Sequence, residues 1–177
     1  WSVEAVCPWL THPCLDFISG LDFTNSRVLE FGAGRGTRWW RAKSKWVVSV
    51  EPNVDWIATV EADCADGGRL NGQVLHRTAD SKERYFSGLE ELGPYGVVVV
   101  DGALRDCELE FILGLKRSAP LIVVADNWCQ AYVWMSDYAV ELMKPYTPLG
   151  IFPQPGHTNH DGVNVWKTAV WELPPNA

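Results

Sequence analysis

The sequence predicts an α/β fold: an open, doubly wound sheet, mostly parallel with a reversed C-terminal strand, and helices on both faces. Three observations predict it. Val28 to Phe31 reads as a short apolar strand running into the glycine-rich turn Gly32-Ala33-Gly34-Arg35-Gly36-Thr37, and Val47 to Glu51 reads as a second buried strand ending in an acid. Strand, glycine turn, helix, strand and acid make up the first half of a nucleotide-binding sheet. Val97 to Val100 and Leu121 to Ala125 are continuous apolar runs, the pattern of strands buried on both faces of a parallel sheet. Leu149 to Phe152 and Trp166 to Leu173 are strand-like and joined by a polar loop with no room for a crossover helix, so they must pair antiparallel.

The elements follow in order. Residues 1–26 form a cover segment, in which Leu15, Phe17, Ile18 and Leu21 are spaced for a short amphipathic helix over the sheet edge or the ligand mouth. Residues 27–173 form the core of what reads as one domain spanning 1–177. The first strand and its turn lead into a helix from Thr37 to about Lys43. After the second strand, Pro52 and Asn53 open a helix whose predicted buried stripe is Val54, Ile57, Ala58 and Ala62. Gly67, Gly68, Asn71 and Gly72 mark a loop, and a third strand is expected at Gln73 to Arg77. The run Val97 to Val100 is the fourth strand, followed by a helix from Leu104 to Lys116. Leu121 to Ala125 is the fifth, followed by a helix from about Gln130 to Met143. The two closing strands end at Leu173, and Pro174-Pro175 reads as a frayed end.

Composition narrows the function classes. Of 177 residues, 47% are hydrophobic and 21% charged, an ordinary globular balance that argues against disorder. The apolar runs are all too short to span a membrane. A net charge of -7 disfavours broad nucleic-acid binding, although Arg35, Arg38, Arg41, Lys43 and Lys45 cluster beside the glycine turn. The five cysteines are scattered without a C-x-x-C pair, which points to reduced thiols in a cytoplasmic setting and gives no zinc pattern. Ten tryptophans read as buried anchors.

The turn itself discriminates between ligands. A dinucleotide fingerprint wants a third glycine where Thr37 stands, and Glu30, two residues before Gly32, would repel a phosphate but could hold an ammonium group. The pattern E-x-G-x-G-x-G/T resembles motif I of the class I S-adenosylmethionine-dependent methyltransferases, which share a Rossmann-like sheet. By that resemblance, Glu30, Phe31, Gly32, Ala33, Gly34, Gly36 and Thr37 would face the methionine end of the cofactor. Glu51, with Pro52 and Asn53 behind it, would take the ribose hydroxyls. Asp80 (or Ser81) after the third strand would reach the adenine, the competing role for Ser81 being a helix N-cap. The resemblance runs from about Arg27 to Leu173, with specific motifs in its first third.

Methyl transfer needs an acceptor aligned with the methyl group and, for a hydroxyl acceptor, a route for its proton. The carboxyl ends of the later strands offer Asp101, Arg105, Asp126, Asn127 and the loop carrying His157, His160 and Asp161. We take Asp101, Arg105 and His157 as the catalytic candidates, with Asp101 also facing the cofactor. Asp101, Asp126 and Asn127 are a hard-oxygen set that suits Mg²⁺ and look like the metal site of catechol O-methyltransferase-like enzymes. That family has a lysine where Leu104 stands, and Arg105, one residue further, cannot act as a base at neutral pH, so proton abstraction would need another group or the metal alone. The simpler reading has Asp126 and Asn127 capping the next helix.

There is no Asn/Asp-Pro-Pro-Tyr motif after the fourth strand, and no lysine precedes Lys43. By elimination these absences favour oxygen methylation of a small-molecule or sugar-like acceptor. Three other readings stand beside it: a non-catalytic cofactor-binding module of a larger protein, a dinucleotide oxidoreductase, and a nucleic-acid methyltransferase using the Arg35 to Lys45 patch.

Overall fold

The computed structural model describes residues 7–128 and 135–176. Seven strands form one sheet: β1 (Arg27–Phe31), β2 (Trp46–Glu51), β3 (Gly72–His76), β4 (Val97–Val100), β5 (Leu121–Ala125), β6 (Pro148–Pro153) and β7 (Lys167–Leu173). Their order is β3-β2-β1-β4-β5-β7-β6. The first five are parallel, and β7 runs antiparallel to both β5 and β6. The order reverses between β1 and β4, so a crevice opens at the carboxyl ends of those two strands, where open α/β sheets bind their ligands.

The helices α1 (His12–Ser19), α2 (Arg35–Lys43) and α3 (Val54–Asp66) lie on one face, and α4 (Lys82–Phe86), α5 (Arg105–Gly114) and α6 (Asp137–Met143) on the other. Alternation along the strands feeds both layers. Val28, Val47, Val97 and Val99 pack with Cys14 and Ile18 of α1 and Trp40 of α2, while Leu29, Phe31, Val48, Val50, Val98 and Val100 pack with Leu109 and Ile112 of α5. Two-sided burial explains why these strands read as unbroken apolar runs.

Local chemistry fixes the element ends. Asn53 caps α3 by accepting from Asp55 and Trp56, which leaves Pro52 outside the helix; Ser81 caps α4, and Ser136 caps α6. Three expectations need correction. The buried stripe of α3 is Val60 and Cys64 with Ile57 partly covered, whereas Val54, Ala58 and Ala62 face solvent, because the covered side of the helix is the one that meets Ala33 of the turn and Val74 of β3. The last helix is shorter than expected: it starts at Asp137 behind the Ser136 cap, and residues 130–134 lie outside the described residues. The tail after β7 is tied down, since Asn176 accepts from the Arg117 N–H, donates to the Leu115 carbonyl and gives its own N–H to the Arg117 carbonyl.

The cover segment is pinned to the sheet edge. The Thr11 N–H donates to Thr168 Oγ1 at 3.1 Å, and the Thr11 hydroxyl donates to the Phe152 carbonyl at 2.9 Å. Among the described residues, no helix is long and apolar enough to cross a membrane.

Candidate functional site

The glycine turn joins β1 to α2 at the crevice. Gly32 has φ +87°, and a Cβ there would stand 2.4 Å from the Asp101 carbonyl oxygen, so only glycine lets the turn meet the end of β4. Gly34, by contrast, would carry a Cβ with no heavy atom within 4 Å. The turn therefore has a structural glycine that closes it and a second one bordering open space.

Beneath the turn lies Glu30, 2% exposed. Its Oε2 accepts from the hydroxyls of Thr37 and Ser49, each at 2.6 Å, and Thr37 Oγ1 in turn accepts from the Gly34 N–H at 3.0 Å. A Cβ on Gly36 would come within 2.6 Å of Glu30 Oε1. Burial pushes the Glu30 carboxyl up to about 7, against the pull of those two hydroxyls. Glu30 thus braces the turn from inside, through Thr37.

Glu51 ends β2 beside the turn. Its carboxylate accepts from the backbone N–H groups of Asn53, at 2.8 Å, and Ala33, while burial raises its pKa. Two donors leave part of the carboxylate's acceptor capacity, about four lone-pair positions, for another partner. Trp56 at the start of α3 reaches back across the turn and donates from Nε1 to the Ala33 carbonyl at 2.7 Å. Asp80 lies farther along the edge, exposed, accepting from Thr78 at 2.6 Å and paired with Arg84 at 3.0 Å.

The ends of β4 and β5 converge on Arg105. Its guanidinium, in a side chain only 7% exposed, donates to Asp101 Oδ1 at 2.6 Å, Asn127 Oδ1 at 2.9 Å and the Asp126 carbonyl at 2.7 Å. Asp126 points away, its Oδ1 accepting from the Thr168 hydroxyl at 2.8 Å and Trp166 Nε1 at 3.1 Å. Burial raises the pKa of Asp126, and that of Asp101 well above the usual carboxylate range, with Arg105 opposing the shift in both. Mg²⁺ gains no support from this arrangement. A guanidinium already lies on Asp101 Oδ1 and Asn127 Oδ1, the Asp126 carboxylate is taken by Thr168 and Trp166, and among the described residues no group of three His, Cys, Asp or Glu is arranged for a metal ion. Arg105, a catalytic candidate in the sequence, bridges Asp101 and Asn127 where a cation would stand.

These residues form a cleft of about 360 Å³ lined by Trp9, Asp101, Arg105, Asp126, Asn127 and Trp166. The volume is that of a small-molecule site. Asp101 belongs to both halves of the site, since its backbone meets Gly32 and its side chain lines the cleft. His157 is outside the lining and packs its ring edge-on against Trp166, with centroids 5.5 Å apart; His160 and Asp161 are exposed and face each other at 3.3 Å. A larger cleft of about 480 Å³ lies at the amino ends of β1, β4 and β5, around Arg27, Tyr95 and Arg117, away from the turn.

Several of the site's supports gave no signal in the sequence. Ser49, Thr168 and Trp166 support the acids through partners 19, 42 and 40 residues away. Glu108 is fully buried on α5, accepts from the Tyr85 hydroxyl and the Leu104 N–H, and burial pushes its carboxyl up to about 7. It holds the chain between Asp101 and Arg105 in place. The basic cluster is partly neutralised: Arg41 is buried and bonded through both terminal nitrogens to Glu61, and Arg38 pairs with Asp63.

No family model matches the chain, and no curated protein matches its sequence. Solved structures do match. An rRNA methylase from Streptococcus thermophilus aligns at 16% identity and TM-score 0.64, over 92% of this chain and 95% of that one. A methyltransferase-like protein from Silicibacter pomeroyi aligns at 16% and 0.66, over 97% and 91%. A putative rRNA methylase from Clostridium thermocellum aligns at 11% and 0.65, over 93% and 94%. In strand order, reversed C-terminal strand and near full-length overlap, this chain has the Rossmann-like fold of the class I S-adenosylmethionine-dependent methyltransferases.

Proposed function

We propose that the protein is an S-adenosylmethionine-dependent methyltransferase acting on an oxygen of a small-molecule acceptor. The observation that carries the reading is the pair of glycines: Gly32 closes the turn onto Asp101, and Gly34 faces open space with the Glu51 carboxylate alongside. The residues present fit the cofactor. The Gly32 to Thr37 backbone, kept in shape by Glu30 and Thr37, would border its amino-acid end, Glu51 its ribose, and Asp80 or its neighbours its adenine. When bound, the cofactor supplies an electrophilic methyl group on a sulfonium.

This chain's part is then to bind, orient and deprotonate. The cleft beside Asp101 orients the acceptor. Asp101, raised in pKa by burial and one oxygen short of saturation by Arg105, accepts the acceptor's proton. Arg105 is a positioning residue that fixes the carboxylate. His157 acts through Trp166, which it packs against. Oxygen is preferred as the acceptor atom because the sequence has no amine-methylating motif after β4. A small acceptor is preferred because of the cleft's size, and because Arg38 and Arg41 spend their charge on α3 and not on a polyanion. The free thiols at Cys7, Cys14, Cys64 and Cys107 are consistent with a cytoplasmic setting.

The test is calorimetric titration with S-adenosylhomocysteine and, separately, NAD. Saturable binding of S-adenosylhomocysteine with none for NAD is expected. Binding of NAD alone, or of neither, overturns the reading.

A further inference from the structure

The cleft beside Asp101 carries more information than its volume. Arg105 donates to one polar atom of Asp101 and one of Asn127. Because a guanidinium only donates, the Asn127 amide must turn its oxygen toward Arg105 and its Nδ2 the other way. Paired as a carboxylate with the Arg105 guanidinium, Asp101 keeps a second oxygen that accepts, and Asn127 keeps an NH₂, which only donates. Neither atom has a hydrogen-bond partner among the described residues, and both side chains line the cleft. One buried arginine therefore holds an acceptor side chain and a donor side chain on the same cleft.

The other lining residues are aromatic. Trp166 is fixed by its Nε1 bond to Asp126 and by His157 against its ring, so it is a rigid wall. Trp9 is 70% exposed, with the Arg35 guanidinium 5.9 Å from its ring centroid. An exposed tryptophan at a cleft mouth leaves a large flat surface uncovered, which a flat ligand can cover.

We propose that this cleft binds a flat nitrogen heterocycle whose edge carries an N–H beside a carbonyl or ring nitrogen. The N–H donates to Asp101, the neighbouring acceptor takes the Asn127 NH₂, and the ring faces lie against Trp9 and Trp166. A sugar alone lacks the faces, and a catechol has two donors where the Asn127 amide needs an acceptor. That this heterocycle is the methyl acceptor rests on the methyltransferase reading above; that it binds does not.

The experiment titrates the protein, with and without S-adenosylhomocysteine, using inosine (which has the N–H and carbonyl edge), 1-methylinosine (the same ring with the N–H blocked), D-ribose, and a short unstructured oligoinosinate. Saturable inosine binding is expected, about tenfold tighter than that of 1-methylinosine, with no response to D-ribose. Asn127→Asp replaces the donor by an acceptor but keeps an oxygen for Arg105. It should weaken inosine about tenfold while the thermal midpoint holds. Trp9→Ala, at an exposed position, should weaken inosine and 1-methylinosine together. Equal affinity for inosine and 1-methylinosine, equal binding of D-ribose, or unchanged inosine binding by Asn127→Asp overturns the proposal. Inosine binding without S-adenosylhomocysteine binding would overturn the methyltransferase reading and leave this one standing, and the reverse pattern would do the opposite. Oligoinosinate binding that is tighter than inosine and weakens with salt identifies the ring as part of an RNA strand; binding no tighter identifies a free small molecule.

Discussion

Gly32 and Gly34 sit two residues apart, and the structure separates their roles. Alanine at Gly32 would hold an L-residue at φ +87° and push a Cβ to 2.4 Å from the Asp101 carbonyl oxygen. The left-handed conformation costs about 1–2 kcal/mol, and forcing an atom into a packed position costs about 1–3 kcal/mol more. For a chain of this size each kcal/mol lowers the thermal midpoint by about 2–4 °C, so Gly32→Ala should lower it by roughly 5–15 °C. Alanine at Gly34 meets nothing within 4 Å and should change stability by less than about 0.5 kcal/mol. If the cofactor occupies that open space, the same methyl group should cost about 1–3 kcal/mol of binding, roughly 5- to 150-fold in Kd for S-adenosylhomocysteine. Thermal denaturation and calorimetry of both variants decide the matter. A Gly34→Ala protein with wild-type affinity, or a Gly32→Ala protein with a wild-type midpoint, would refute the reasoning.

Three further outcomes are expected. Glu51→Ala removes the carboxylate beside the turn, and losing hydrogen bonds to a charged group should weaken S-adenosylhomocysteine by about 3 kcal/mol, roughly 100-fold; unchanged binding would dismiss the ribose assignment. Chelator should leave cofactor binding and any turnover unaffected because Arg105 occupies the oxygens of the supposed metal site, whereas chelator-sensitive activity restored by Mg²⁺ would reverse that conclusion. Stability should fall as pH rises from about 4.5 to about 7. Glu30 and Glu108 are both held near 7 from 4.5, so the folded state binds more protons there than the unfolded chain, and the advantage is lost as pH climbs through the folded values. Glu30→Gln should flatten this slope in thermal melts recorded between pH 5 and 8, and a midpoint that rises across that window would contradict the burial argument.

The parts of the fold legible in the sequence were those written in contiguous residues. Four consecutive β-branched valines favour a strand buried on both sides, and β4 is one. The turn was legible because its glycines, its preceding acid and its answering Glu51 fall at fixed offsets. The α3 stripe was misread because Val54, Ala58 and Ala62 are as apolar as the positions that pack, and only the docking of the helix on the turn and β3 decides which face is covered. The acid trio looked like a metal set because a sequence shows which oxygens gather at a sheet edge but not what lies between them. Arg105 lies between them through a side-chain direction that only the start of α5 determines. Ser49 and Thr168, which hold Glu30 and Asp126, were invisible because a hydroxyl in a strand has no offset that marks its partner.

The place of β7 bears on how the chain comes to be folded. β7 lies between β5 and β6, yet it is the last strand to be made. A ribosome that has delivered everything through β6 has delivered a strand with no neighbour to pair with, and has left the long side of β5 uncovered. Such an open edge is a template for any other extended chain. The first described helix waits as well, since its Thr11 clasp on Thr168 joins residues 157 apart in sequence. Closing so wide a span comes late in folding. Until Lys167 to Leu173 emerge, the nascent sheet therefore has one sticky border, and demand for chaperones should peak in that interval.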